Sequence, residues 1–283
     1  MAETSRYIHG TDPAEQARLS TLNDLLNAAC VREIALSGGE RVLDVGAGLG
    51  QLTRALARAA GRAAVGIERS PAQLEAARRL AREAGEERLA ELREGDALAF
   101  PIAGGEWGTF DVAHARFLLE HVPEPAAVVA QMVRAVRPGG RVVLCDDDHS
   151  LMRLHPEPPG FRAAWDAFVR SYDRHGNDPY VGRRLPALLA AAGATPRRAT
   201  WIFFGACAGE AAFPAFAANV AANLSGARAA IAETGMVRED EVDRAVEALD
   251  AFARRADAVI WYAMPWAEGV VTAPPEHGRS PRA

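Results

Sequence analysis

Nine consecutive residues constrain this chain more than any others: Val42-Leu43-Asp44-Val45-Gly46-Ala47-Gly48-Leu49-Gly50. A short apolar run over residues 41–45 meets three glycines at alternate positions, then an alanine-rich stretch over 49–59 that reads as a helix. Strand, glycine turn and helix in that order predict an α/β fold whose backbone approaches a ligand closely at the turn. The spacing is GxGxG, with Gln51 where a dinucleotide fingerprint has its third glycine. Asp44 also puts a carboxylate two residues before Gly46, where a bound pyrophosphate favours the absence of negative charge. A cofactor carrying a sulfonium and an ammonium group tolerates that carboxylate or gains from it.

The pattern then repeats. Residues 63–67, 89–93, 110–113 and 141–145 read as further strands, and Ser70-Pro71-Ala72-Gln73 opens a helix with a capping box and Pro at its first position. Val128, Val129, Met132, Val133 and Val136 lie on a helix that ends at Arg137-Pro138-Gly139-Gly140. Buried, non-alternating strands between helices predict a Rossmann-like, doubly wound, mostly parallel seven-stranded sheet. Residues 201–204 and 259–264 supply its last two strands. Upstream, Asp12-Pro13-Ala14-Glu15 opens an amphipathic helix through Leu19, Leu22, Leu25 and Leu26. After residue 150 lie 14 of the 19 aromatic residues, with helices expected over 161–174, 183–192, 211–222 and 239–255. The expected division is an N-terminal helical lid segment (1–37), a cofactor-binding core (38–150), the remaining strands with a helical cap for substrate (151–266) and a loose tail (267–283).

The glycine stretch resembles motif I of the class I S-adenosylmethionine-dependent methyltransferases, and the matches continue in order over residues 38–147. The resemblance implies S-adenosylmethionine as cofactor and a small-molecule acceptor. It assigns Asp44, Gly46, Ala47, Gly48 and Gly50 to the cofactor turn. Glu68, with Arg69 beside it, matches the acidic residue that binds both ribose hydroxyls, a vicinal diol facing two acceptor oxygens. Asp96, followed by Ala97, matches the residue near the adenine amino group, and Arg116 stands next to the cofactor. Each has a plainer alternative: Asp44 capping a turn, Glu68 as a strand-end charge, Asp96 in an ordinary Gly-Asp turn, Arg116 pairing with Glu120.

For the reacting side, methyl transfer is an in-line displacement in which the protein mainly positions the acceptor, and a base is needed when an oxygen loses its proton. In a doubly wound fold the candidates lie at the carboxyl ends of the strands. His121 follows the fourth strand, and Asp146-Asp147-Asp148-His149 follows the fifth. The expected pair is His121 as base with Asp147 orienting it. Tyr7, His9 and His149 are candidates for contacting substrate. The acidic run is alternatively a solvated loop, or a magnesium site, and no metal is assigned. Asn177-Asp178-Pro179-Tyr180 resembles the motif of amine-modifying methyltransferases, but it follows the wrong strand and lacks the second proline, so it reads as a turn into Gly182.

Composition narrows the partners. A net charge of −5, with 32 basic residues scattered among 37 acidic ones, argues against nucleic acid. Three cysteines without a CxxC pair suit a reducing cytoplasm. No apolar run reaches the ~18 residues of a membrane span, and the first ten residues lack a signal sequence's apolar stretch. A soluble cytoplasmic enzyme is expected, with a homodimer left open.

Overall fold

The computed structural model describes residues 13–272. Tyr7 and His9, and the Asp12 cap, lie outside the described residues.

Helix α1 (Pro13–Ile34) opens the described chain, with Pro at its first position. Leu22, Leu26, Cys30 and Ile34, spaced by four, are all buried. That stripe joins the hydrophobic core shared with Val42, Val112 and Val143 of the sheet, each leucine contributing about 1.5–3 kcal/mol by leaving water. Then come β1 (Val42–Val45), α2 (Gln51–Ala60), β2 (Ala64–Glu68), α3 (Pro71–Glu83), β3 (Ala90–Glu94), β4 (Phe110–Arg116), α4 (Pro125–Ala135) and β5 (Val136–Cys145). Ser70 caps α3 by accepting from the Gln73 amide, with Pro71 following, as the sequence motif predicts. The second half holds β6 (Arg153–His155), α5 (Phe161–Ser171), α6 (Leu185–Ala191), β7 (Ala194–Phe203) and β8 (Ala206–Cys207). It closes with α7 (Phe213–Gly226), α8 (Arg228–Ala232), α9 (Glu239–Phe252), β9 (Val259–Trp261) and β10 (Ala263–Val271).

Seven strands form one sheet in the order β3-β2-β1-β4-β5-β10-β7. The first five are parallel, and β10 runs antiparallel between β5 and β7. Every residue of β1 is buried, because helices cover both faces there. The chain order reverses between β1 and β4, and a doubly wound sheet opens its ligand crevice at such a reversal.

Three expectations change. The apolar run 259–264 is not one strand. It breaks at Tyr262 into β9 and β10, which belong to different sheets. The cap is therefore not purely helical: β6, β9 and β8 form a small antiparallel sheet within it. Finally, the expected loose tail from 267 does not begin there, because Ala267 and Val271 are buried and paired with β7 in the main sheet. Among the described residues, no helix is long and apolar enough to cross a membrane.

Candidate active site

A cavity of about 280 Å³ opens at the carboxyl edge of the sheet, where β1, β2 and β4 end. The glycine turn forms one side. Gly46 has φ +76°, in the left-handed region, and the Gly46 and Ala47 amides both donate to the Ile67 carbonyl at 2.9 Å. Gly46, Ala47 and Gly48 line the cavity, but Gly50 does not. It sits behind the turn as the residue before α2, with a φ of +67° and its open face against Ala77 and Leu92. Its assignment to the cofactor gives way to a packing role.

Asp44 reaches the cavity wall with both oxygens bonded: one accepts from the Thr53 hydroxyl at 2.5 Å, the other lies 2.9 Å from Nδ1 of His114. Neither partner stands out in the sequence. The Glu68 carboxylate accepts from the Gly48 amide at 3.0 Å and from the Ser70 amide at 2.7 Å. Each oxygen keeps lone-pair capacity for a hydroxyl donor. Asp96 lines the far end of the cavity, fixed by accepting from the Leu98 amide at 2.8 Å, with Ala97 and Arg69 also in the wall. Arg116 turns toward α1. Its guanidinium donates to Asn27 at 2.9 Å, to Sγ of Cys30 at 3.1 Å and, at close range, to Asn23, pinning α1 against the cavity mouth.

The reacting side is built by an abrupt turn. Phe117 has φ +52°, an unusual conformation for a large side chain that costs about 1–3 kcal/mol when the surroundings impose it. Here Asp146 imposes it, accepting from the Leu118 and Leu119 amides at 3.0 and 2.7 Å. The turn delivers Glu120 and His121 to the cavity wall. Glu120 is 3% exposed and bridges two imidazoles: Nε2 of His121 lies 3.3 Å from one oxygen, and Nε2 of His149 lies 2.9 Å from the other. The expected pairing of His121 with Asp147 is thus replaced. Asp147 accepts instead from the Tyr262 hydroxyl at 2.7 Å and lies 4.0 Å from His149.

The acidic run is no solvated loop, since Asp146, Asp147 and Asp148 are all buried. Asp148 serves structure, held by a two-pronged pair with Arg183 at 2.7 and 2.8 Å. The Asn177–Tyr180 turn closes the floor from behind, where the Asp178 amide donates to the Glu120 carbonyl and the His149 amide to the Pro179 carbonyl, both at 3.1 Å. Gly182 follows, its Cα so close that a Cβ would sit 2.7 Å from the carbonyl oxygens of both Asp146 and Asp147. Gly182→Ala is expected to cost about 1–3 kcal/mol by overpacking and to displace Asp147, read as a lowered melting temperature with weakened turnover. Glu120, Asp147 and His149 also bring one ligand atom each within 4.8 Å of one another, the spacing of a metal site. Of the sequence's metal candidates, only Asp147 belongs to that group.

Burial pushes the Asp147 carboxyl up to about 7, and the neighbouring Glu120 charge adds to it. Burial works against the His149 cation, but the Glu120 charge and hydrogen bond outweigh it and raise the imidazole to about 9. Both groups hold protons more tightly folded than unfolded, so their contribution to stability falls as pH rises. The Asp147 part is lost above the ordinary value of 3.8 and gone past about 7. The His149 part is present below 6.5 and lost through about 9. The melting temperature should therefore decline from pH 6 to pH 10, and less steeply in Asp147→Asn below pH 8. A melting temperature rising over that interval contradicts the burial of these two groups.

Residues 43–144 match the methyltransferase domain family. The match takes in the glycine turn, Glu68 and Asp96, so this part of the chain is a methyltransferase domain. A demethylmenaquinone methyltransferase of Clavibacter sepedonicus is 34% identical over 154 residues, covering 54% of this chain and 58% of the relative. The chain spans about half the length of the curated relatives it matches. Among solved structures, a geranyl diphosphate methyltransferase in complex with S-adenosylmethionine superposes with a TM-score of 0.54 at 17% identity, covering 92% of both chains. The [4+2]-cyclase SpnF superposes with a TM-score of 0.54 at 22% identity, covering 87% of this chain and 80% of that one. These two likenesses concern the fold. S-adenosylmethionine is the cofactor, and the cavity offers a glycine turn open to close approach with the Glu68 and Asp96 carboxylates in its wall.

Proposed function

We propose that the chain methylates a hydroxyl oxygen of a small molecule, with His121 as the general base. The observation carrying this is the His121–Glu120–His149 array in the wall of the cofactor cavity. Bound S-adenosylmethionine supplies the methyl group. Glu120 faces the His149 cation on one side and accepts from Nε2 of His121 on the other. That fixes the tautomer and leaves Nδ1 of His121 to take the hydroxyl proton as the oxygen–carbon bond forms. Nδ1 is covered in this state, with the ring 6.0 Å from Tyr172, so acceptor entry is expected to shift that contact.

The test is incubation of the full chain with S-adenosylmethionine and a panel of hydroxylated acceptors. The expected result is S-adenosylhomocysteine together with a methyl ether on the acceptor. Methylation confined to nitrogen or carbon contradicts the oxygen assignment. Glu120, Asp147 and His149 favour a second reading, a divalent ion orienting the acceptor, because of their close spacing. A chelator separates the two: base catalysis predicts unchanged turnover, and metal assistance predicts its loss.

A further inference from the structure

We infer that the acceptor is an uncharged, apolar-bodied hydroxyl compound and that anionic acceptors are disfavoured, because among the described residues the cations at the acceptor wall already face carboxylates. The inference rests on the methyltransferase reading and deepens it. Between the cofactor turn and the cap, the wall is made largely by Met152, Trp165, Phe168, Tyr172, Phe204 and Tyr262, with Asn219 and Asn223 of α7 at its edge. Two of these rings have their polar atoms bonded inside the protein. The Trp165 indole N–H donates to the His149 carbonyl at 3.0 Å, and the Tyr262 hydroxyl donates to Asp147 at 2.7 Å. What these rings present to a ligand is carbon. The rings also brace one another, with Trp165 and Phe168 centroids 5.1 Å apart and Phe204 and Tyr262 6.0 Å apart, so they form a shaped apolar surface.

Charge points the same way. Among the described residues two arginines line the cavity, and both stand at its cofactor half. Arg69 follows Glu68 at the ribose end, and Arg116 is engaged by α1. The sequence contains no lysine at all. On the acceptor side the charged groups are Glu120 and Asp147 with the His149 imidazole, and His149 already faces Glu120 at 2.9 Å. The His121 imidazole faces the same carboxylate. An entering carboxylate or phosphate would lose its hydration beside Glu120 and Asp147, and the His149 cation that could meet it is already held by Glu120, a costly way to bury a charge. A neutral hydroxyl loses far less and finds a base waiting.

The experiment uses the full chain saturated with S-adenosylhomocysteine and a matched series of 4-alkylphenols, 4-alkylbenzoates and 4-alkylphenyl phosphates of equal tail length. Calorimetry should show the phenols binding at least roughly tenfold more tightly than either anion, a difference of about 1.4 kcal/mol. Asn223→Arg, which adds a cation on α7 at the cavity lining, should narrow that gap without altering the affinity for S-adenosylhomocysteine. Anions binding as tightly as the phenols, no phenol binding, or a gap unmoved by Asn223→Arg overturns the inference. Failure of S-adenosylhomocysteine itself to bind defeats the methyltransferase reading instead, and is measured first.

Discussion

Replacing His121 with Ala should lower turnover by about 10²- to 10⁴-fold, the range a positioned general base contributes, and leave the affinity for S-adenosylhomocysteine nearly intact. The separation follows from the geometry. His121 sits on the turn after β4, whereas the proposed cofactor contacts lie at the ends of β1 and β2 and at Asp96. The wild-type chain should show an ascending limb in kcat/KM as pH rises, and the variant should lose that limb. Glu120→Gln keeps the shape of the side chain but removes the charge that orients the ring and pairs with His149. It should reproduce most of the loss in turnover. Full activity in His121→Ala with a hydroxyl acceptor rejects the base and leaves positioning alone as the mechanism.

The second large effect concerns Glu68. Its carboxylate is held by the Gly48 and Ser70 amides, so its direction is fixed before any ligand arrives. Two charge-assisted hydrogen bonds to the ribose hydroxyls are each worth about 1.5–3 kcal/mol. Glu68→Ala should therefore weaken S-adenosylmethionine binding by roughly 10²- to 10⁴-fold. Because the side chain also ties the glycine turn to α3, a small fall in melting temperature of the ligand-free chain should accompany it. Unchanged affinity in calorimetry removes Glu68 from the site.

The cofactor half was legible because its chemistry is local. Asp44, Gly46 and Gly48 belong to one short stretch, Glu68 ends a strand whose apolar run is plain, and Asp96 follows the next strand by two residues. The same spacing could not show that Gly50 faces Ala77 and Leu92, since its role depends on what packs behind the turn. On the reacting side, the sequence offers His121 several carboxylates and no way to choose among them. Asp147 follows the neighbouring strand, but the left-handed turn at Phe117 swings Glu120 between the two histidines and leaves Asp147 to Tyr262. Glu120 did carry a signal: a carboxylate inside an apolar run, Phe117-Leu118-Leu119-Glu120, is out of place unless it is buried with partners.

The cap was least legible, for a different reason. Aromatic enrichment after residue 150 marks a region without saying which rings face a ligand. Trp165, Phe168, Phe204 and Tyr262 line the cavity, Phe161 and Phe252 pack in the core, and Trp201, Phe203 and Trp261 are exposed. Residues 259–264 form an unbroken apolar run with no glycine or proline at Tyr262, so the change from one sheet to another there leaves no mark in the pattern.

The central claim is that the cavity is an S-adenosylmethionine site, and the direct measurement is a calorimetric titration of the full chain with S-adenosylhomocysteine and, separately, with NAD. The geometry at Asp44, Gly46–Gly48 and Glu68 predicts saturable binding of one S-adenosylhomocysteine per chain and no measurable heat with NAD. Binding of NAD in preference to S-adenosylhomocysteine, or binding of neither, contradicts it.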